Sequence, residues 1–128
     1  MIVTEVNNLA ELTLAYEAQS SSTGIPGRSI CSARNQHWVS DDTGSGGAVG
    51  AGELFCASLA ACAVNLVGRV ARTESKTVGW MDVKVGAYRD MSQPAGERTL
   101  YDAVRIEFEM WGVSDDDAKY LVKVWKQR

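Results

Sequence analysis

The stretch from Ala51 to about Thr73, AGELFCASLAACAVNLVGRVART, limits what this chain can fold into more than any other. Alanines and other strong helix formers run through it for about six turns with no proline or internal turn signal, which specifies one long α-helix. Around such a helix Leu54, Phe55, Leu59, Val64, Leu66 and Val67 point several ways, so it needs cover on most of its sides. Only its end, at Arg69 and Arg72, is suited to water. Its small residues would let covering elements approach closely. The length would also suit a membrane span, but Glu53, Asn65, Arg69 and Arg72 leave too short an uncharged run, so a core helix is expected and no membrane partner.

The 128 residues leave room for one domain, 1–128, with a single core. With 45% hydrophobic and 23% charged residues, that domain should be globular and not disordered. A net charge of −3 and the absence of any Lys/Arg block argue against nucleic acid as a partner. The opening MIVTEVNNLAEL has neither a basic n-region nor an unbroken apolar run, so no secretory signal is read and the cytoplasm is the expected location. His37 is the one histidine and no C-x-x-C pair exists; neither a metal nor a cofactor is expected.

Before the helix, Thr4–Gln19 is ambiguous: Val6, Leu9 and Tyr16 suit a helix while Leu12, Leu14 and Tyr16 alternate as in a strand, and the helical reading is preferred. Ser20–Gly27 and the glycine-rich Asp42–Gly52 read as loops, and Ser29–Ser40 between them as an extended strand. After the helix, Val78–Arg89 alternates around Trp80, Val83 and Val85, and Leu100–Trp111 carries Val104, Ile106, Phe108 and Met110 on one face. These two segments should pair as an antiparallel hairpin, with polar Asp90–Thr99 as a mobile tip. Ser114 can cap a last helix whose first turn is Asp115, Asp116 and Asp117 and whose buried side would be Tyr120, Leu121 and Val124.

Cys31, Cys56 and Cys62 are odd in number and two share one helix, which does not resemble a disulfide framework. A thiol becomes a useful nucleophile when its thiolate is stabilised by a cation, a helix N-terminus or a metal. Local physics nominates Cys56, in the first turns of the long helix, where unpaired N–H groups favour an anion. Cys62 lies mid-helix and needs a cation from elsewhere in the fold or from another subunit. Cys31 lies in a strand without an identifiable activator. For Cys31 and Cys56 the preferred reading is a small, inert, buried side chain.

The run ELFCASLAACAVNLVGRVA resembles the central-helix motif of the OsmC/Ohr family, with its leucine-rich start, several alanines and Ala-Cys step. RNQHWVSDDTGSGG upstream is similar to the strand and glycine-rich approach that lead into that helix. The resemblance spans about Ser29–Arg128. It implies an α+β fold in which antiparallel sheets wrap a long buried central helix in an intertwined homodimer, with the sites at the subunit interface. It also implies thiol-dependent reduction of organic hydroperoxides in oxidative-stress defence, with Cys62 as the peroxidatic nucleophile and Arg34 as the activating arginine. A guanidinium there would lower the thiol pKa and orient the peroxide oxygen; as a residue read alone, Arg34 is equally a solvated strand arginine.

Three departures accompany the resemblance. Peroxidase members place a glutamate ten residues before the reactive cysteine, where this chain has Gly52; Glu53 follows one place later, either orienting Arg34 or serving as an ordinary N-terminal helix charge. The proline frequent at the start of the family helix is missing before Glu53. The resolving cysteine expected after the last helix has no counterpart before Lys126-Gln127-Arg128, so an external thiol or dithiol, or a cysteine of the partner chain, would have to regenerate Cys62. Cys56 is poorly placed for that role, since six residues of helix rise separate it from Cys62 by about 9 Å. The alternative is an OsmC-like dimer without peroxidase activity that binds a small apolar or acyl ligand at the subunit interface.

Overall fold

The computed structural model describes residues 12–128, which fall into two compact units, one ending at Gly50 and the other spanning Ala51–Arg128. The first is a three-stranded antiparallel sheet of β1 (Gln19–Ser22), β2 (Arg28–Ala33) and β3 (Gln36–Asp41), in the order β1-β2-β3. The single strand expected over Ser29–Ser40 is instead a hairpin: Ala33 pairs with Gln36, leaving Arg34 and Asn35 as a two-residue turn. Arg34 takes a left-handed φ of 55°, a conformation that such turns usually assign to Gly, Asn or Asp. With Arg at the position, the turn has no compositional signal.

The serines read as the start of a loop are strand: Ser20, Ser21 and Ser22 pair with Cys31, Ile30 and Ser29, so backbone bonds to β2 outweigh their weak strand preference. Residues 12–18 carry no helix, and Gln19 already belongs to β1. Leu12, Leu14 and Tyr16, whose alternation suited a strand, are largely exposed and lie before β1, so among the described residues of this segment neither pattern has a core to pack on. The remainder of that expected helix, Thr4–Glu11, lies outside the described residues.

The second unit opens with α1 (Ala51–Thr73), within the bounds expected from sequence. Among the described residues it is the helix long and apolar enough to cross a membrane by length and composition. It packs against β4 (Trp80–Tyr88), which pairs antiparallel with β5 (Ala103–Trp111), and against α2 (Asp115–Lys126). Within the single chain α1 is covered on one side: Ala63, Val67, Val70 and Ala71 are buried, whereas Phe55 and Val64 stay partly open to solvent. The core joins Val67, Val70 and Ala71 to Leu121 of α2, with Val78, Met81, Phe108, Met110, Val124 and Trp125 packed around them. Phe108 meets Trp125 edge to face at 5.3 Å.

The register puts Met81, Val83, Val85 and Ala87 opposite Met110, Phe108, Ile106 and Val104 on one face of the hairpin. Trp80, grouped with Val83 and Val85 in the sequence, has the opposite parity; it pairs with Trp111 on the other face and is two-thirds exposed, at 66%. The expected mobile tip is cross-linked. Arg98 donates to the carbonyls of Gln93 and Met91 at 2.8 and 3.1 Å, Arg89 to that of Leu100 at 3.0 Å, and Ser92 N–H to Asp90 at 2.9 Å. Its polar composition supplied partners for the loop's own backbone.

Ser114 caps α2 as anticipated, its hydroxyl accepting from the Asp117 N–H at 3.2 Å. Leu121 and Val124 face the core, but Tyr120 does not: it is 40% exposed, donates its hydroxyl to Glu74 at 3.1 Å and lies beneath the Lys76 ammonium, 5.0 Å from the ring centre. Lys76 also pairs with Asp117, joining the end of α1 to the start of α2. Because Leu121 is 1% exposed at the helix–helix contact, Leu121→Ala is expected to lower unfolding free energy by about 2–5 kcal/mol. Ser114→Ala should cost about 1 kcal/mol. Urea unfolding of the two variants checks the ranking, and equal effects would contradict it.

Candidate active site

Glu53 and Cys56 stand in the first turns of α1, beside the Val85–Ala87 segment and Tyr101. Gly52 has no Cβ, and one built there would stand 3.0 Å from the Tyr101 hydroxyl oxygen, so the phenol reaches over the first turn because this residue is glycine. The Tyr101 ring stacks on Phe55 at 5.0 Å with 19° between planes, and the Arg89 guanidinium lies 5.9 Å from the ring centre. Beneath this stack is a cavity of about 460 Å³ lined by Glu53, Cys56, Tyr101 and the Val85–Ala87 segment of β4. Half-buried Cys56 thus sits near the helix N-terminus in a mostly apolar recess. Tyr101 and Arg89 were invisible in the sequence because they flank β4 and β5, and only the pairing of those strands and their packing on α1 bring them to its first turns.

Cys62 is exposed, less than two turns further along α1. At about 100° per residue, nine residues separate Glu53 from Cys62 by roughly half a turn, so the two project from opposite sides of the helix. Three residues separate Glu53 from Cys56, which share the recess. The structure therefore places Glu53 with Cys56, on the same helix as Cys62 but facing away from it. Arg34 belongs to the first unit, where its side chain is exposed at the β2–β3 turn. All three cysteines are free. Half-buried Cys31 has hydroxyls beside it, Ser20 Oγ at 3.3 Å and Ser29 Oγ at 3.8 Å from its sulfur. No group of three or more metal-ligating side chains occurs among the described residues.

A carboxylate held by several donors lies in the first unit, where the glycine-rich segment leaves β3. The Asp41 side chain is 1% exposed and accepts four hydrogen bonds: from the Thr43 N–H at 2.8 Å, the Thr43 hydroxyl at 2.5 Å, the Ser45 hydroxyl at 2.7 Å and Arg28 at 3.0 Å. The Thr43 hydroxyl and N–H, followed by Ser45 and Arg28, hold this carboxyl well below the usual carboxylate range. Among the described residues of this unit, the arginine paired with an acid is thus Arg28 and not Arg34. A depressed folded-state pKa stabilises the fold fully above the ordinary carboxylate value of about pH 4, and that stabilisation is lost as pH falls below it. Asp41→Asn is expected to flatten the pH dependence of the melting temperature below about pH 4. Thermal unfolding of both chains across acid pH checks this, and parallel slopes would contradict it.

No protein-family model matches the chain, and no curated protein matches it. Solved structures do. An OsmC-like protein from Mycoplasma pneumoniae superposes with a TM-score of 0.79 at 14% identity, over 91% of this chain and 84% of that one. An organic hydroperoxide resistance protein OsmC from Legionella pneumophila gives 0.66 at 18% identity, over 88% and 82%. An organic hydroperoxide resistance protein from Elizabethkingia anophelis gives 0.63 at 18% identity, over 88% and 81%. At these identities the likeness is one of fold: α+β, with two antiparallel sheets and one long central helix, as the resemblance in the sequence implied.

Proposed function

Starting from the OsmC-like fold of this chain, we propose that it is a thiol-dependent peroxidase that reduces organic hydroperoxides, with Cys62 as nucleophile. The observation that carries this reading is an exposed thiol at the Ala-Cys step of the long central helix. The Cys62 thiolate attacks the terminal oxygen of ROOH, the O–O bond breaks, and the alkoxide leaves as ROH after taking a proton; the sulfur is oxidised to sulfenic acid. Two equivalents of an external thiol, or one dithiol, return the sulfenic acid to the thiol and release water and a disulfide. Arg34 supplies the cation that Cys62, far from the helix N-terminus, does not obtain from the dipole. Glu53, turned to the far side of α1 from Cys62, serves as an N-terminal charge that stabilises the helix.

The same reading includes a cytoplasmic homodimer. Ala57, Ala61 and Val64 are exposed at spacings of four and three residues along one side of α1, an apolar side that a second copy would cover. A second reading, an OsmC-like dimer that binds a small apolar or acyl ligand without peroxidase activity, is favoured by one observation. The Tyr101 hydroxyl packs over Gly52, the position at which the resemblance implies the glutamate of peroxidase members.

Mixing reduced protein with cumene hydroperoxide separates the two. The expected outcome is a mass gain at Cys62, trapped as sulfenic acid and reversed by dithiothreitol, with peroxide consumption lost in Cys62→Ser and kept in Cys56→Ser. An unreactive Cys62 would overturn the peroxidase reading and leave the ligand-binding one.

A further inference from the structure

We infer that the groove between β5 and α2 is a binding site for the carboxylate form of a medium-chain fatty acid. The groove encloses about 510 Å³, within the roughly 300–1,000 Å³ typical of small-molecule sites. Phe108 and Met110 of β5 and Ala118 and Val122 of α2 give it an apolar floor and wall. The floor is preformed, because the Phe108 ring is held edge to face by Trp125 at 5.3 Å. Its remaining lining residues are Lys119, Lys123 and Lys126.

These lysines recur at spacings of four and three residues, so they form one edge of α2. Their alkyl stems extend the apolar wall while their ammonium groups reach the rim. None of the three is in an ion pair among the described residues, and they gather positive charge in a chain whose net charge is −3. Lys123 and Lys126 lie in the last turn, where cations complement the helix dipole. Lys119 lies outside that turn, and at four residues from Lys123 it makes a like-charge pair that weakens the helix. An anion at the rim relieves that repulsion.

The ligand's chemistry follows from what the groove offers. Apart from the weakly accepting sulfur of Met110, its polar side-chain atoms are ammonium donors, so the polar end of the occupant is anionic and its remainder apolar. The seven-residue span from Lys119 to Lys126 is about 10 Å along the helix, a length suited to a medium alkyl chain. No lining residue lies on α1, so the site is independent of the thiol chemistry.

Calorimetric titration of the full chain with dodecanoate below its micellar concentration, paired with methyl and aromatic chemical-shift mapping, tests the site. Expected are saturable binding, shifts at Phe108, Met110 and Val122, and affinity at least about tenfold weaker for 1-dodecanol and for the Lys119→Gln/Lys123→Gln/Lys126→Gln chain. Cys62→Ser should bind dodecanoate as the parent does, whatever its response to peroxide. Circular dichroism confirms that the lysine variant is folded, and each single Lys→Gln chain should fall between parent and triple variant. Unsaturable binding, undiminished affinity in the folded triple variant, shifts confined to α1, or binding only to anionic vesicles or an acidic peptide would overturn the assignment.

Discussion

The second unit depends on a small seam, where Leu121 of α2 meets Val67, Val70 and Ala71 of α1 above the inward face of the β4–β5 hairpin. A two-stranded hairpin is marginal by itself, and a helix as apolar as α1 cannot stand in water with every side bare. Each solves the other's problem at this contact. Val67 and Leu121 are the largest fully buried side chains, and Met81, Phe108 and Met110 seal the seam from below. The ion pair between Lys76 and Asp117 and the bond from Tyr120 to Glu74 then join the end of α1 to α2 around its edge.

The seam engages the C-terminal half of α1, which explains why the N-terminal half is chemically distinctive. There the helix is less covered by its own chain, and Tyr101 stacks on Phe55 with its hydroxyl close over the bare Cα of Gly52. Glu53 and Cys56 face the recess under this stack, whereas Cys62, turned away from them, remains exposed. Helical phase, more than distance along the chain, divides the thiols between two environments. The first unit has its own organising interaction: the carboxylate of Asp41 gathers Thr43, Ser45 and Arg28 and so shapes the start of the glycine-rich segment.

Much of this architecture was legible from the residues. The span of α1, the pairing of the two strands after it and the Ser114 cap each rest on a local rule expressed over several consecutive positions: uninterrupted helix formers, alternation, or a hydroxyl before an acidic turn. The OsmC-like motif added the long helix's place in an α+β fold, which the superposed structures bear out. Where a single residue departs from its type's habit, the rules failed. Arg34 in a left-handed turn hid the β2–β3 hairpin, three serines hid a strand, and Trp80 at the wrong parity looked like core.

By itself the sequence determined which segments become helix and strand after Gly50 and which thiol the motif points to, because backbone preference and hydrophobic period are properties of neighbouring residues. Only the tertiary structure decided that Glu53 turns toward Cys56, that Tyr101 closes over Gly52, that Asp41 takes Arg28 as its partner, and that three lysines border an apolar groove. Those outcomes depend on strand register, helical phase and the packing of elements far apart in the chain, and no local pattern encodes the contacts that result.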